Sequence, residues 1–473
     1  MKGIVSARLG AGMAGICVAA GVAACGIGKT SASTPETAGA ASASSSIRVP
    51  AQADAIVHMF DIPFRLIESE LPVIAAAGFG AIQISPPQLS NGDAWWGRYQ
   101  PLDYRIIDSP LGNEADLRSL VKRAALFGIR INADLVLNHM ANLGKDHDGF
   151  FPPKWVKEKY GVGGLFGPQD FHMPFCIRNW SNPEEVRIGR LCGGGDDPGL
   201  PDLRLDNDWV LRQQKAFIAK LNDIGIQGYR VDAVKHMDAD YLSRLFTPDL
   251  VRGRHVYGEV IAFRSSFDTD LDPYLRKTSM GYMDFPLQET IREALKPQGS
   301  LEALVDPVKT KGALAFDRAV TFVVNHDIPN NEGFRYMIMD EVDEALGYAF
   351  VLGRADGVPH IMSDRGKAGG LRDDRWKMAH RRKDIGAMVR FHNAVHGSSQ
   401  RFLVADRCVL IWDRGTQGLV GINKCGEAFR ARVSTQVEGQ AIDVLTGNEA
   451  PLGGNTELNI PPRSAVMYLK TSR

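Results

Sequence analysis

The chain has no excess of charge: 55 lysines and arginines stand against 55 aspartates and glutamates in 473 residues. That balance excludes a chain-wide pull toward nucleic acid or an anionic membrane surface. Histidines and carboxylates are nowhere clustered at metal-ligand spacing. A metal-dependent hydrolase built on Asp134, His139 and His236 would need more ligands than the sequence supplies. Large apolar side chains are almost missing from "KTSASTPETAGAASASSS", residues 29–46. Such a stretch cannot bury enough surface to offset chain entropy, so residues 26–52 are expected to form a disordered tether. Cysteine is scarce, with six in all.

Two of those cysteines belong to the N-terminus. Lys2 and Arg8 precede the small-residue apolar stretch "LGAGMAGICVAAGVAAC", the charged-then-apolar layout of a secretory signal. It closes on "VAAC", which resembles the bacterial lipoprotein signal. Residues 1–25 are therefore expected to be a leader, with Cys25 as the lipidated first residue and the only membrane attachment; plain secretion is the alternative. Cys17 leaves with the leader. Cys408 and Cys425 flank two apolar runs around a Gly-Thr-Gln-Gly turn, so a hairpin would set them opposite each other. Export permits that pair, and Cys176 with Cys192, to be disulfides; free thiols are the bland alternative.

The length calls for two or three domains. Along the middle of the chain one unit recurs: amphipathic helix, glycine, apolar strand, polar cluster. "NEADLRSLVKRAALFG" has Leu117, Leu120, Val121, Ala124 and Ala125 on one helical face, with Asn113 to cap it and Gly128 to end it. "IRINADLVLNH" follows as a strand. Near-continuous apolar strands between helices indicate a parallel sheet covered on both faces. Eight of them, at 55–60, 81–85, 131–137, 228–233, 255–260, 281–285, 320–325 and 358–362, suit a (β/α)8 TIM barrel over 53–138 and 203–384. Residues 139–202, rich in Gly, Pro and aromatics, are expected to protrude as an irregular inserted domain. Residues 385–473 carry short strands with turn signals, which indicates an antiparallel β-sandwich.

Chemistry-bearing residues sit at strand ends. In "GYRVDAVKH" the period of two places Arg230 and Asp232 on one face. An arginine beside the aspartate favours its ionised form, as a nucleophile requires. Alone, the pair could equally be a buried ion pair fastening a barrel mouth. "YGEV" puts Glu259 after a strand, "FVVNHD" puts Asn325, His326 and Asp327 there, and "DLVLNH" puts Asn138 and His139 there. Three carboxylates, Asp232, Glu259 and Asp327, would then converge on one barrel face. Their pKa values would split into one ionised and one protonated group.

These four segments, in this order, resemble the signature regions of the alpha-amylase superfamily of glycoside hydrolases. "AIVHMFDIPF", "WWGRYQPLDYRI" and "LPDLRLDNDWV" resemble its animal-type branch. The resemblance implies an exported, endo-acting hydrolase of internal alpha-1,4-glucosidic bonds in starch or glycogen, working with retention. It implies Asp232 as nucleophile, Glu259 as general acid and base, and Asp327 as transition-state stabiliser. Substrate contacts would come from Trp95, Trp96, Tyr99, Gln100, His139, Leu200, Arg230, Lys235, His236 and His326, with the aromatic rings offering stacking faces. His139 and His326 would donate hydrogen bonds at the cleaved sugar. A structural calcium would be held by Asn138, Asp202 and the carbonyls of Arg187 and His236. Chloride is a further candidate, at Arg230 and Asn325 with a third basic residue such as Arg365. "CGGGDDP", residues 192–198, departs from the family pattern as an insertion. A monomer with no separate starch-binding module is expected. A maltooligosaccharide-forming or transglycosylating relative is the alternative within the superfamily, and a non-catalytic glucan-binding barrel the alternative outside it.

Overall fold

The computed structural model of the chain describes residues 48–366 and 374–471. Cys17, Cys25 and the leader lie outside them. At the centre is a closed barrel of eight parallel strands: β1 (Ile56–Met59), β2 (Ala81–Ile84), β3 (Arg130–Leu135), β4 (Gly228–Val231), β5 (His255–Gly258), β6 (Gly281–Met283), β7 (Ala319–Phe322) and β8 (Val358–Ser363). β8 closes on β1 with His360 opposite Ile56. Each strand is followed by a helix: α1 (Phe64–Ala77), α2 (Glu114–Leu126), α3 (Asp208–Ile224), α4 (Ala239–Leu245), α5 (Asp272–Lys277), α6 (Phe285–Leu295), α7 (Glu341–Gly353) and α8 (Lys383–Ala394). The expected (β/α)8 barrel is what the chain forms.

Local chemistry explains the boundaries. Asn113 accepts from the Asp116 N–H while the Asp116 carboxylate accepts from the Asn113 N–H, a capping box that starts α2. α3 stops at Gly225, whose φ of 104° is open to glycine and strained for other residues. Strands β1 and β2 are buried along their whole length, which is why their sequences do not alternate.

Two expected boundaries move. The β-domain does not begin at 385. Ile385, Met388 and Val389 hold i, i+3, i+4 spacing, and α8 buries them beside α1. The first strand beyond it starts at Gln400. The tether also ends early: Val49 is buried and its N–H donates to the Phe127 carbonyl at 3.0 Å.

Between β3 and α3, residues 139–202 hold two short helices, Lys154–Tyr160 and Pro183–Ile188, and isolated bridges such as His139↔Asp202. Cys176 and Cys192 form a disulfide there. Beyond α8 the chain forms β9 (Gln400–Ala405), β10 (Val409–Arg414), β11 (Gly418–Asn423), β12 (Phe429–Val433), β13 (Gly439–Asp443), β14 (Glu449–Leu452), β15 (Thr456–Ile460) and β16 (Ser464–Lys470). A six-stranded antiparallel sheet, ordered β9-β10-β11-β16-β13-β14, faces the β12–β15 pair across Ile411, Leu419, Val433, Leu458 and Ile460. β10 and β11 are the expected hairpin, and a Cys408–Cys425 disulfide joins its ends.

Among the side chains that fasten this sandwich to the barrel, Arg414 donates to the Gly353 and Val395 carbonyls and Lys424 reaches the end of α6. Lys424 is buried, and its Nζ donates to the carbonyls of Ala294 and Lys296 at 2.7 Å and Gly299 at 2.6 Å. Ala294 and Lys296 lie at the C-terminal end of α6, where helix carbonyls lack intrahelical donors, and Gly299 is in the turn that follows. Lys424→Met removes a cation and takes its donor from the Ala294 and Gly299 carbonyls, while the Lys296 carbonyl keeps the Gly299 N–H. Urea unfolding should show a loss of about 2–4 kcal/mol; an unchanged midpoint would mean the clamp is idle.

Candidate active site

The site is organised around Arg230, whose side chain is fully buried on β4 opposite Asp134 of β3. Its Nη1 donates to both Asp134 oxygens, at 2.8 and 2.9 Å, and to Asp232 Oδ1 at 2.7 Å. Its Nη2 forms an ion pair with Glu259 Oε1 at 2.7 Å. Backbone bonds fix the acids at the strand ends: Asp232 N–H to Leu135 O and Glu259 N–H to Val231 O, both 2.9 Å, and Val234 N–H to Glu259 O at 3.0 Å. Between Asp232 and Val234, Ala233 adopts the left-handed region with φ 50° and ψ 37°. Such strain in a residue with a side chain persists only where its surroundings enforce it. Asp327, just beyond β7, lies close enough to Glu259 for each carboxyl to act on the other's charge. Asp232, Glu259 and Asp327 therefore meet in one cluster.

Electrostatics sorts them. Burial pushes the Glu259 carboxyl up to about 8; the charges of Asp327 and Asp232 add to this, against the attraction of Arg230. Burial also raises Asp327, to about 6, and Asp134, to about 7, with Arg230 again opposing. Glu259, the most strongly raised of these acids, is thus the one that keeps its proton at neutral pH.

Asp134 is the member that sequence analysis placed only in a rejected metal site. The signal was present: a carboxylate in an apolar strand, in register with Arg230. Among the described residues no three His, Cys, Asp or Glu side chains are grouped to hold a metal. Asp134 is instead filled by Arg230 and by the Tyr99 hydroxyl at 3.1 Å. Below it, Gln83 Oε1 accepts from the Tyr257 hydroxyl at 2.7 Å and lies 2.9 Å from His360 Nε2. This layer was not foreseen.

The expected substrate residues are placed as follows. Trp95 is half-buried and packs on Phe60 at 5.6 Å, so it is partly core. Trp96 is half-buried and lines an open pocket with Gln100. Tyr99 is buried, and one face of its ring is already stacked on His326, 5.3 Å away and 9° from parallel. His139 is neutral because burial lowers its pKa, and its Nε2 lies 3.0 Å from the Tyr99 carbonyl. Its one N–H points there, so Nδ1 is an acceptor. Burial holds His326 far below the usual imidazole range, and holds His236 at about 4. Lys235 pairs with Asp270 at 2.7 Å, and Leu200 is buried. Trp180, not singled out by sequence, sets its edge on His236 at 5.9 Å.

Of the residues expected to hold calcium, Asn138 and Asp202 are in direct contact. Asn138 Nδ2 donates to Asp202 Oδ1 at 2.9 Å, while Asn138 Oδ1 is buried without a donor. Burial raises Asp202 to about 6, and His172 Nδ1 lies 2.6 Å from its other oxygen. His236 Nδ1 donates to the Val186 carbonyl at 2.9 Å, which brings the backbone at Arg187 beside His236. An orphaned amide oxygen and a desolvated carboxylate suit a hard cation. An anion also has donors: Asn325 Nδ2 and Arg230 Nε are buried without acceptors. Arg365 is exposed, unlike the fully buried Arg230 and Asn325, so it does not share their setting.

Residues 65–255 match the alpha-amylase catalytic-domain family. An alpha-amylase of Aeromonas hydrophila is 42% identical over 395 residues, which are 79% of this chain and 85% of that protein. The chain belongs to the alpha-amylase family. An alpha-amylase of Thermomonospora curvata is 30% identical over 432 residues, covering 83% of this chain and 68% of its own. The solved alpha-amylase I of Eisenia fetida has the same fold, with a TM-score of 0.73 at 24% identity over 90% of this chain and 98% of that one. As a member of that family the chain is an enzyme, a glycoside hydrolase.

Glu259 also bears on stability. Folded, it holds a proton to about pH 8, whereas the unfolded chain releases it near 4.5. The folded state therefore binds more protons across that window, and stability falls as pH rises through it. Glu259→Gln escapes this penalty. Its melting temperature should exceed wild type by a few degrees, with the gap widening from pH 5 to 8; a gap independent of pH would contradict the assignment.

Proposed function

We propose that the chain is an exported, endo-acting alpha-amylase of the animal-type branch that hydrolyses internal alpha-1,4 bonds of starch or glycogen with retention. The observation that carries this is the division of labour among the acids. Asp232 is paired with Arg230, while burial and the neighbouring charges of Asp327 and Asp232 keep Glu259 protonated.

In the first step the Asp232 carboxylate attacks the anomeric carbon while Glu259 gives its proton to the departing glycosidic oxygen. Bond cleavage then leaves a glycosyl ester on Asp232. In the second step Glu259, now ionised, takes a proton from water. The resulting oxygen attacks the same carbon and releases Asp232. Asp327 carries negative charge beside the oxocarbenium-like sugar. It also raises the Glu259 pKa and so keeps the acid loaded. Arg230 orients Asp232 from a position closed to solvent.

Calcium, held by Asn138, Asp202 and the carbonyls of Arg187 and His236, would neutralise the buried Asp202 and tie the inserted segment to the barrel. Chloride at Arg230 and Asn325 would add negative charge near Glu259. The leader and Cys25 support export with lipid anchoring at a bacterial envelope.

Asp232→Asn and Glu259→Gln should each reduce starch hydrolysis by several orders of magnitude while keeping the wild-type far-UV spectrum. Near-normal turnover in either would remove the role assigned to it. A calcium chelator should lower the melting temperature of the wild type and, because the metal-binding residue is already altered, shift Asp202→Asn much less. Equal shifts would argue against this site.

A further inference from the structure

The insertion at 192–198 is not a loose loop. Cys192 is pinned to Cys176. The Asp197 carboxylate accepts from the Gly193 N–H at 2.5 Å and the Gly199 N–H at 3.1 Å, and is bonded by Asn142 Nδ2. Arg190 Nη1 donates to the Pro198 carbonyl at 3.1 Å, and Lys145 faces Asp196 at 3.3 Å. Gly194 and Gly195 turn the loop with φ of 92° and 61°, so both positions need glycine.

Asn142 ties the loop to the residues expected to hold sugar. Its backbone N–H donates to Gln100 Oε1 at 3.2 Å, and its carbonyl accepts from Asn91 Nδ2 at 3.3 Å. Asn91 in turn donates to the same Gln100 oxygen at 3.2 Å. Between the loop and this group lies a cavity of about 300 Å³, lined by Trp96, Gln100, Asn142, Gly193, Gly194 and Asp197 among others. That volume is at the small end of ligand pockets. The cavity adjoins the acids through a single 3-10 segment, Trp95–Tyr99. Tyr99 touches Asp134 from one end, and Trp96, three residues back and so about 6 Å along the segment, opens into the cavity.

We propose that the loop 192–199 is the outer wall of a glucosyl-binding subsite on the Trp96 side of the carboxylates. In it Asp197 is a positioning residue, acting through Asn142 and Gln100 to set how strongly the enzyme holds a glucan that reaches beyond the cleaved sugar. This rests on the glucan hydrolysis proposed above. A sugar ring in the cavity has the Trp96 indole for its apolar face and the Gln100 and Asn142 amides for its hydroxyls. Without the Asp197 carboxylate the Gly193 and Gly199 N–H groups and Asn142 Nδ2 lose their shared acceptor.

The test uses the full-length enzyme, maltohexaose and maltotriose. Asp197→Ala should raise KM for maltohexaose about ten-fold while lowering kcat less than three-fold, and should change the lengths of the products. Maltotriose, too short to cross the acids and fill the cavity together, should show a KM change under two-fold. Asp197→Asn keeps one acceptor oxygen, which serves the Gly193 or the Gly199 N–H but not both, and should leave the maltohexaose KM between those of wild type and Asp197→Ala. Calorimetric binding of maltohexaose, measured in Glu259→Gln with and without Asp197→Ala, should weaken about ten-fold independently of turnover. Wild-type KM, product lengths and binding in a folded Asp197→Ala enzyme would overturn the proposal. A wild type that releases no sugar from starch would instead overturn the proposed function. Equal losses on both substrates would also count against the subsite, since a general disturbance of the acids acts on every length.

Discussion

One guanidinium shared by several acids sets the terms for the rest of the structure. Arg230 is enclosed, bonds Asp134 and Asp232, and touches Glu259, while Asp327 reaches the same cluster through Glu259. Four carboxylates around one buried cation cannot all be charged, because desolvation penalises each charge and like charges add to the penalty. A proton is therefore retained, and the most strongly raised group is Glu259. General-acid character at neutral pH thus follows from charge arithmetic and burial. Values near 7 and 8 in such a cluster belong to the set of acids as a whole, so substitution of any one of them reshapes the titration of the others.

The barrel makes that arrangement rigid. Arg230 and Asp134 are neighbours by strand register, and the two acids after β4 and β5 are laced to adjacent strands by backbone hydrogen bonds. Ala233 carries the backbone strain of turning the chain at the mouth. Buried acids with raised pKa values reduce stability at neutral pH. Stability comes from elsewhere, in the continuous core of barrel strands and helices and in the Lys424 clamp that joins the sandwich to α6. The inserted segment adds Phe151, Val156, Leu165, Phe166 and Phe171 to that core, and its disulfide anchors the loop beside the Trp96 cavity.

Much of this was legible in the sequence, for physical reasons. Doubly covered strands are apolar throughout, and each ends in polar residues, so eight strands and three acids could be read from composition and order alone. Asp134 was not recognised because its partner is set by register between strands 96 residues apart, which local spacing does not carry. The helix 383–394 was merged into the sandwich because its apolar face is short and the strands after it are strongly apolar. The tautomer of His139 was not legible because the carbonyl that accepts its N–H belongs to Tyr99, forty residues earlier. Tyr99 offers little free ring face for a similar reason, since His326 covers it from β7. Long-range pairings of this kind decide tautomers and exposed faces, and they appear only once the barrel is closed.

The central claim is that the Arg230-paired carboxylate attacks sugar while its neighbour supplies the proton. The direct measurement is mass spectrometry of the protease-digested enzyme after reaction with a slow-turnover fluorinated alpha-glucosyl fluoride. The account predicts one glycosyl mass added to the peptide that contains Asp232. A label on Glu259 or Asp327 instead, or turnover that inverts the anomeric configuration with no labelled peptide, would contradict it.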